Sequence, residues 1–415
     1  MQNLKRTTLT NGLVLITEEL DHFKSVSIGF YLKRGSRDES NYEKGYSHFC
    51  EHMLFKGTNK YGKEDIANIF DSMGGSFNAY TSHELVLVYA KVPYFNTKKA
   101  IELIYDIINN SLFDEKELEL ERNVILNEIN MSLEDPQDKV SEDFTFNLFP
   151  NSSLGSPIAG TVESISNVTR EELFSFYEKN FCSDDIVVVV TGNINIDEIY
   201  SYLSSFTFRR NNKNINKLTL QGDNTSSFTT MPAEQIHIIT GTTKFSITEE
   251  NAIDLQLLNM IVGESMSSRL FQEVRDNLGL CYSIYSYIQK YREESLFAIY
   301  VSILPKDLTK SIPAISNVLK KLIDFGITEE ELEKVKQQRV ADIILNSDLL
   351  QSRMKKIAFY EIVYNKLYDE DEIINKVQKT NVDKINPLIK EIFKSENFFT
   401  QGLYKKSLEI PKWSF

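Results

Sequence analysis

The chain has 415 residues, 41% of them hydrophobic and 25% charged, with a formal net charge of −13 at pH 7. That length exceeds one ordinary hydrophobic core and implies two or more domains of a globular protein. The acidic balance excludes nucleic acid as the main partner, because binding phosphates requires concentrated lysine and arginine.

Residues 7–18 place Asn11-Gly12 between two β-prone runs, a hairpin signal. Ser25–Leu32 alternates as a further strand, helices are predicted over 43–56 and 64–73, and Gly74-Gly75 ends the second. Residues 77–92 read as two strands, 96–111 and 115–133 as long helices, and the apolar run 186–190 as a buried central strand. Apolar periodicity then lapses, and 211–230 is predicted to be a linker.

Beyond the linker the pattern restarts. Pro93 with Thr97-Lys98 recurs as Pro305 with Thr309-Lys310, and Glu117-Leu118-Glu119 recurs as Glu331-Leu332-Glu333. The expected fold class is α+β. Two homologous domains, 1–210 and 231–415, each form an antiparallel β-sheet with helices packed on one face.

Three cysteines, Cys50, Cys182 and Cys281, are too few and too scattered for a disulfide framework or a cysteine zinc site, which points to a reducing compartment. After Lys5 and Arg6 the longest apolar run covers only 13–16, so no secretory leader, membrane span or membrane partner is expected. A bacterial-type cytoplasmic protein is the simplest reading.

Residues 48–52 read His-Phe-Cys-Glu-His, and two of only five histidines fall here. On a helix His48 and His52 lie about 40° apart with Glu51 about 60° to the other side, so both imidazoles reach one zinc and Glu51 stands beside it as a base. Cys50 points away, as a packed small residue rather than a ligand. His83 reads as a surface histidine, and His237 stands alone in the second half.

A third ligand is required. With Glu121 as zero on the wheel of 115–133, Ile125 falls near about 40°, Leu118 near about 60°, Val124 near about −60° and Met131 near about −80°. Glu121 and Glu128 then share the apolar stripe, where an unpaired carboxylate is costly. Glu128 is the expected third ligand and Glu121 a supporting carboxylate that orients a ligand histidine or a substrate group.

These residues resemble the pitrilysin, insulin-degrading enzyme and mitochondrial processing peptidase family, in particular its short bacterial branch. The resemblance runs through Phe55-Lys56-Gly57-Thr58, the stretch from Gly74 to Ser82, Glu121-Arg122-Asn123-Val124-Ile125-Leu126-Asn127-Glu128, and Ser268-Arg269-Leu270-Phe271. It implies a zinc endopeptidase, one ion per chain, acting on peptides or unfolded segments inside a closed chamber. It further implies that Ser76, Phe77, Asn78, Ala79 and Tyr80 form a substrate-binding edge strand. Arg275 and Tyr282 would bind substrate main chain and stabilise the tetrahedral intermediate. The chain corresponds to one half of a clamshell, so a homodimer, or a heterodimer with a homologous chain, is expected. The rival expectation is a non-catalytic or regulatory subunit partnering an active homologue.

Overall fold

The computed structural model describes residues 4–210, 226–405 and 411–415. Their described residues form two compact units. One draws on Met1–Met131, Ser156–Asn216 and Leu345–Tyr368, the other on Ser132–Gly155, Lys217–Ile344 and Asp369–Phe415. A single cut after residue 210 therefore does not separate them: one segment from each half is built into the other unit.

In the first half the strands are β1 (Leu4–Thr8), β2 (Val14–Glu19), β3 (Ser25–Leu32), β4 (Ser76–Thr81), β5 (Val86–Pro93) and β6 (Ile186–Gly192). Its helices are α1 (Tyr46–Met53), α2 (Lys63–Met73), α3 (Thr97–Asn110), α4 (Glu115–Glu134), α5 (Pro136–Leu148), α6 (Val162–Asn167), α7 (Arg170–Asn180) and α8 (Ile196–Ser204). The second half contributes β7 (Ser227–Thr230), β8 (Ile236–Thr242), α9 (Ala252–Asn259), β9 (Ser283–Lys290), β10 (Ser295–Ile303), α10 (Leu308–Phe325) and α11 (Glu329–Ser347). It ends with α12 (Leu350–Tyr364), α13 (Glu370–Lys379), α14 (Val382–Ile392) and β11 (Phe399–Tyr404).

The sheets run β1-β2-β6-β3-β5-β4 and β7-β11-β8-β10-β9. Apart from β1 the orders correspond strand for strand, and β5-α3-α4-α5 is matched by β10-α10-α11-α12. The duplication is real. Each sheet departs from the antiparallel expectation at one pair, β2 with β6 and β7 with β11, which run parallel. In the first sheet β6 returns beside β2, and in the second β11 returns beside β7, each after a long helical excursion that permits a parallel pairing.

The expected linker lies outside the described residues except at its end, where Ser227–Thr230 is strand β7. It is short and half exposed and offers little apolar pattern to read. The central-strand reading of 186–190 holds: all seven residues of β6 are buried.

One face of the first sheet carries Val26, Ile28, Phe30 and Leu32 of β3, packed with Phe49 and Met53 of α1 and Ile101, Ile104 and Ile108 of α3. Each such side chain contributes about 1.5–3 kcal/mol by leaving water. The opposite face is also covered, by α12, so the helices do not keep to one face. Gly29 makes room for it: a Cβ there would come within 2.9 Å of Met354 Sδ. Two bidentate ion pairs fasten α12, Arg353 to Glu18 and Arg6 to Glu361. In the second unit α5 plays the matching part, with Val140, Phe144 and Leu148 against Ile239, Ala298 and Phe399.

Candidate metal centre

Helix α1 starts at Gly45, whose φ of +87° suits glycine and whose missing side chain lets Ala159 O approach where a Cβ would lie 2.6 Å away. No local side chain caps it. Instead Glu39, only 6% exposed, accepts hydrogen bonds from Gly45 N at 2.8 Å and Ser47 N at 2.7 Å. Burial pushes its carboxyl up to about 8, against the pull of those donors. Phe49, Cys50 and Met53 face the core, and the Cys50 thiol points to Leu173 O, so this cysteine is a packing residue as expected.

The remaining face carries His48, Glu51 and His52. Glu128 Oε2 lies 3.8 Å from His48 Nε2 and 3.6 Å from His52 Nε2, and one donor atom from each of the three lies within 4.8 Å of the others. Bonds of about 2.0–2.1 Å to a tetrahedral zinc would set ligand atoms about 3.3–3.4 Å apart. The two measured edges exceed this by a few tenths of an ångström, within the reach of side-chain rotation. Two imidazoles and a carboxylate are also a zinc donor set, so the residues fit the ion.

The two histidines differ in their support. His52 Nδ1 lies 3.0 Å from Glu121 Oε2, so it donates there and leaves Nε2 to face Glu128. Glu121 Oε1 meets Lys56 Nζ at 2.6 Å. Burial raises the Glu121 pKa, but Lys56 and then His52 outweigh it and the net shift is downward, keeping the group a carboxylate. His48 Nδ1 is buried with no hydrogen-bond partner among the described residues. Burial, with His52 close by, lowers the His48 pKa to about 4, leaving a neutral imidazole.

Glu51 is raised by burial, against the pull of the Thr81 hydroxyl, which donates to its Oε2 at 2.9 Å. Thr81 and Lys56 were not singled out from sequence as parts of the site. Thr81 is the last residue of the proposed substrate strand, directly after the named positions 76–80, and Lys56 stands four positions after His52, so both had a positional signal.

Two expectations need correction. Glu128 does not lie in an apolar stripe: its side chain is 45% exposed, and Val124 and Met131 are exposed as well. The buried face of α4 is Leu118, Glu121, Ile125 and Ile129, so only Glu121 is the buried carboxylate. His83 is not a simple surface histidine, since its Nδ1 lies 3.0 Å from Ser36 Oγ and burial lowers its pKa to about 4.

Strand β4 ends the first sheet, paired only with β5 among the described residues. Ser76, Asn78 and Tyr80 are exposed, whereas Phe77 stacks on Phe70 and, with Ala79, packs against the core. Arg275 and Tyr282 belong to the second unit and are not part of the metal cluster. Arg275 is exposed with its guanidinium 4.6 Å from the Phe271 ring, and Tyr282 is 75% exposed. His237 is hydrogen-bonded to Tyr300 at 2.8 Å.

A duplicated α+β fold with an inverted His-x-x-Glu-His cluster on helix α1 of its first half defines the class of inverted-motif metallopeptidase folds. Residues 14–162 match the family described as insulinase (peptidase family M16), and residues 167–339 match the peptidase M16 inactive domain. The chain belongs to peptidase family M16.

It is 33% identical to the uncharacterized zinc protease YmxG of Bacillus subtilis, over 98% of this chain and 100% of that one. It is 34% identical to an uncharacterized zinc protease of Rickettsia felis, over 95% of this chain and 96% of that one. A protease from Helicobacter pylori has the same fold, with a TM-score of 0.90 at 22% identity, covering 97% of this chain and 100% of that one. A structure from Pseudomonas fluorescens described as a peptidase M16 inactive domain gives a TM-score of 0.88 at 16% identity, covering 99% and 100%. Among the described residues no helix is long and apolar enough to cross a membrane.

Proposed function

We propose that the chain is a zinc-dependent endopeptidase that hydrolyses peptides or unfolded polypeptide segments, with one zinc ion held by His48, His52 and Glu128. The observation that carries this reading is the convergence of those three donors, with Glu51 beside them and the end of an edge strand hydrogen-bonded to Glu51. Zinc, when bound, supplies a Lewis acid that acidifies water and polarises a carbonyl. Glu51 takes the proton of the attacking water and passes it to the leaving amine. The outer edge of β4, which pairs with no strand among the described residues, receives the peptide as an added strand through main-chain hydrogen bonds. Because Phe77 and Ala79 face the core, these two residues serve through their backbone.

Arg275 and Tyr282 bind the substrate main chain and stabilise developing charge. We place them at the site of a facing copy in a dimer that encloses a chamber, and we place the protein in the cytoplasm. The test is mass-spectrometric identification of fragments from an unstructured peptide library, with zinc-depleted protein and Glu51→Gln as controls. Cleavage that needs both zinc and Glu51, and spares folded proteins, supports the proposal.

A second reading is favoured by the Pseudomonas fluorescens structure, in which nearly the same fold is described as inactive. A fold alone does not carry an activity. Protein that holds no zinc, and whose peptide cleavage is unchanged by Glu51→Gln, would establish a non-catalytic subunit instead.

A further inference from the structure

Glu51 has two carboxylate oxygens, and a base that draws a proton from water works best when one of them is held and the other is free. The structure holds Oε2: the Thr81 hydroxyl donates to it at 2.9 Å. Thr81 is the last residue of β4, paired with Val86 of β5, and lies on the same strand face as Phe77 and Ala79. That face is anchored in the core through Phe77, stacked on Phe70 at 3.6 Å and edge-on to Phe55 at 5.3 Å. The hydroxyl that reaches Glu51 is therefore mounted on a fixed strand.

We infer that Thr81 is a positioning residue that selects Glu51 Oε1 as the proton-accepting oxygen and ties the alignment of the base to the strand on which the peptide docks. This rests on the reading of Glu51 as the base and β4 as the docking edge. A carboxylate free to rotate about its last torsion would offer either oxygen in several orientations, and most would not face the attacking water. Holding one oxygen from the docking strand fixes the other relative to any peptide hydrogen-bonded to that strand. Binding and proton transfer then share one reference frame.

The contact makes separable predictions. Thr81→Val keeps the β-branched shape and the backbone N–H and removes only the hydroxyl. Thr81→Ser keeps the hydroxyl. Steady-state cleavage of an unstructured peptide should show Thr81→Val lowering kcat about ten- to hundredfold. KM should stay within about twofold, and Thr81→Ser should recover most of the loss. Zinc affinity, measured by chelator competition on all three proteins, should be unchanged, because Thr81 touches none of the metal-binding side chains.

Equal kcat in wild type and Thr81→Val would overturn the inference. So would a Thr81→Ser variant as slow as Thr81→Val, or a loss of zinc affinity in step with activity. Wild-type protein that binds zinc and cleaves no peptide would instead overturn the functional reading on which the inference stands.

Discussion

His52 and Glu121, 69 residues apart in the chain, are joined by a 3.0 Å hydrogen bond between Nδ1 and Oε2. It decides which ring nitrogen of His52 faces Glu128, because a nitrogen that donates to a carboxylate has no lone pair for a metal. Glu121→Gln keeps the shape but loses the charge. Zinc affinity is expected to fall about ten- to hundredfold, read by competition with a fluorescent chelator. An affinity equal to that of the wild-type protein would remove Glu121 from the site.

The carboxyl of Glu39, raised by burial to about 8 in the folded chain, has an ordinary value near 4.5 when unfolded. The fold therefore binds a proton that the unfolded chain releases between those values. The associated stability is complete below about pH 4.5 and is lost as pH rises through about 8, with a slope of at most about 1.4 kcal/mol per pH unit. Melting of zinc-free protein at intervals from pH 5 to 8 should show a steeper decline for wild type than for Glu39→Gln. Parallel curves would show that Glu39 does not contribute to the pH dependence.

Arg353→Ala would leave Glu18, whose side chain is only 1% exposed, without its bidentate partner. The expected cost is about 3–5 kcal/mol, the usual consequence of removing one member of a buried pair. Replacing both residues with apolar side chains of similar volume should recover much of it. Urea unfolding of the two variants measures this, and a single variant within about 0.5 kcal/mol of wild type would contradict the prediction.

If the proposed dimer completes each site with the facing copy, Arg275→Ala and Glu51→Gln proteins should each be nearly inactive alone. Mixed with verified subunit exchange, they should regain about a quarter of wild-type turnover, because random exchange puts about half the chains in mixed dimers with one intact site each. Exchange without recovered cleavage would argue against a site built from two copies.

Local periodicity made much of this molecule legible. Asn11-Gly12, the buried run of β6 and the helices carrying His48 and Glu121 each announce themselves within a dozen residues. Long-range partners do not. The sequence of α12 does not indicate that it covers the sheet built by the first half, and Glu39 caps a helix from six residues upstream of Gly45 with no capping pattern to reveal it. Reading Glu128 as core-facing failed because Val124 and Met131 are apolar but exposed, and the Glu128 carboxylate beside them is half-exposed too. Two helical turns after Glu121, Glu128 nonetheless lies within 3.8 Å of both imidazoles, so the three proposed ligands come together.

The placement of α12 also sets the order in which the chain can fold. The strands of the first sheet end at Gly192, while the segment that seals one face begins at Leu345. During synthesis that face, with Glu18 in it, has no cover until most of the chain has left the ribosome. A nascent first half is therefore an open sheet with an unsealed surface, a species prone to sticking to its neighbours. Contacts between residues more than three hundred positions apart also make its closure slow. The first half expressed alone would carry every candidate metal ligand and still lack the helix that finishes its fold.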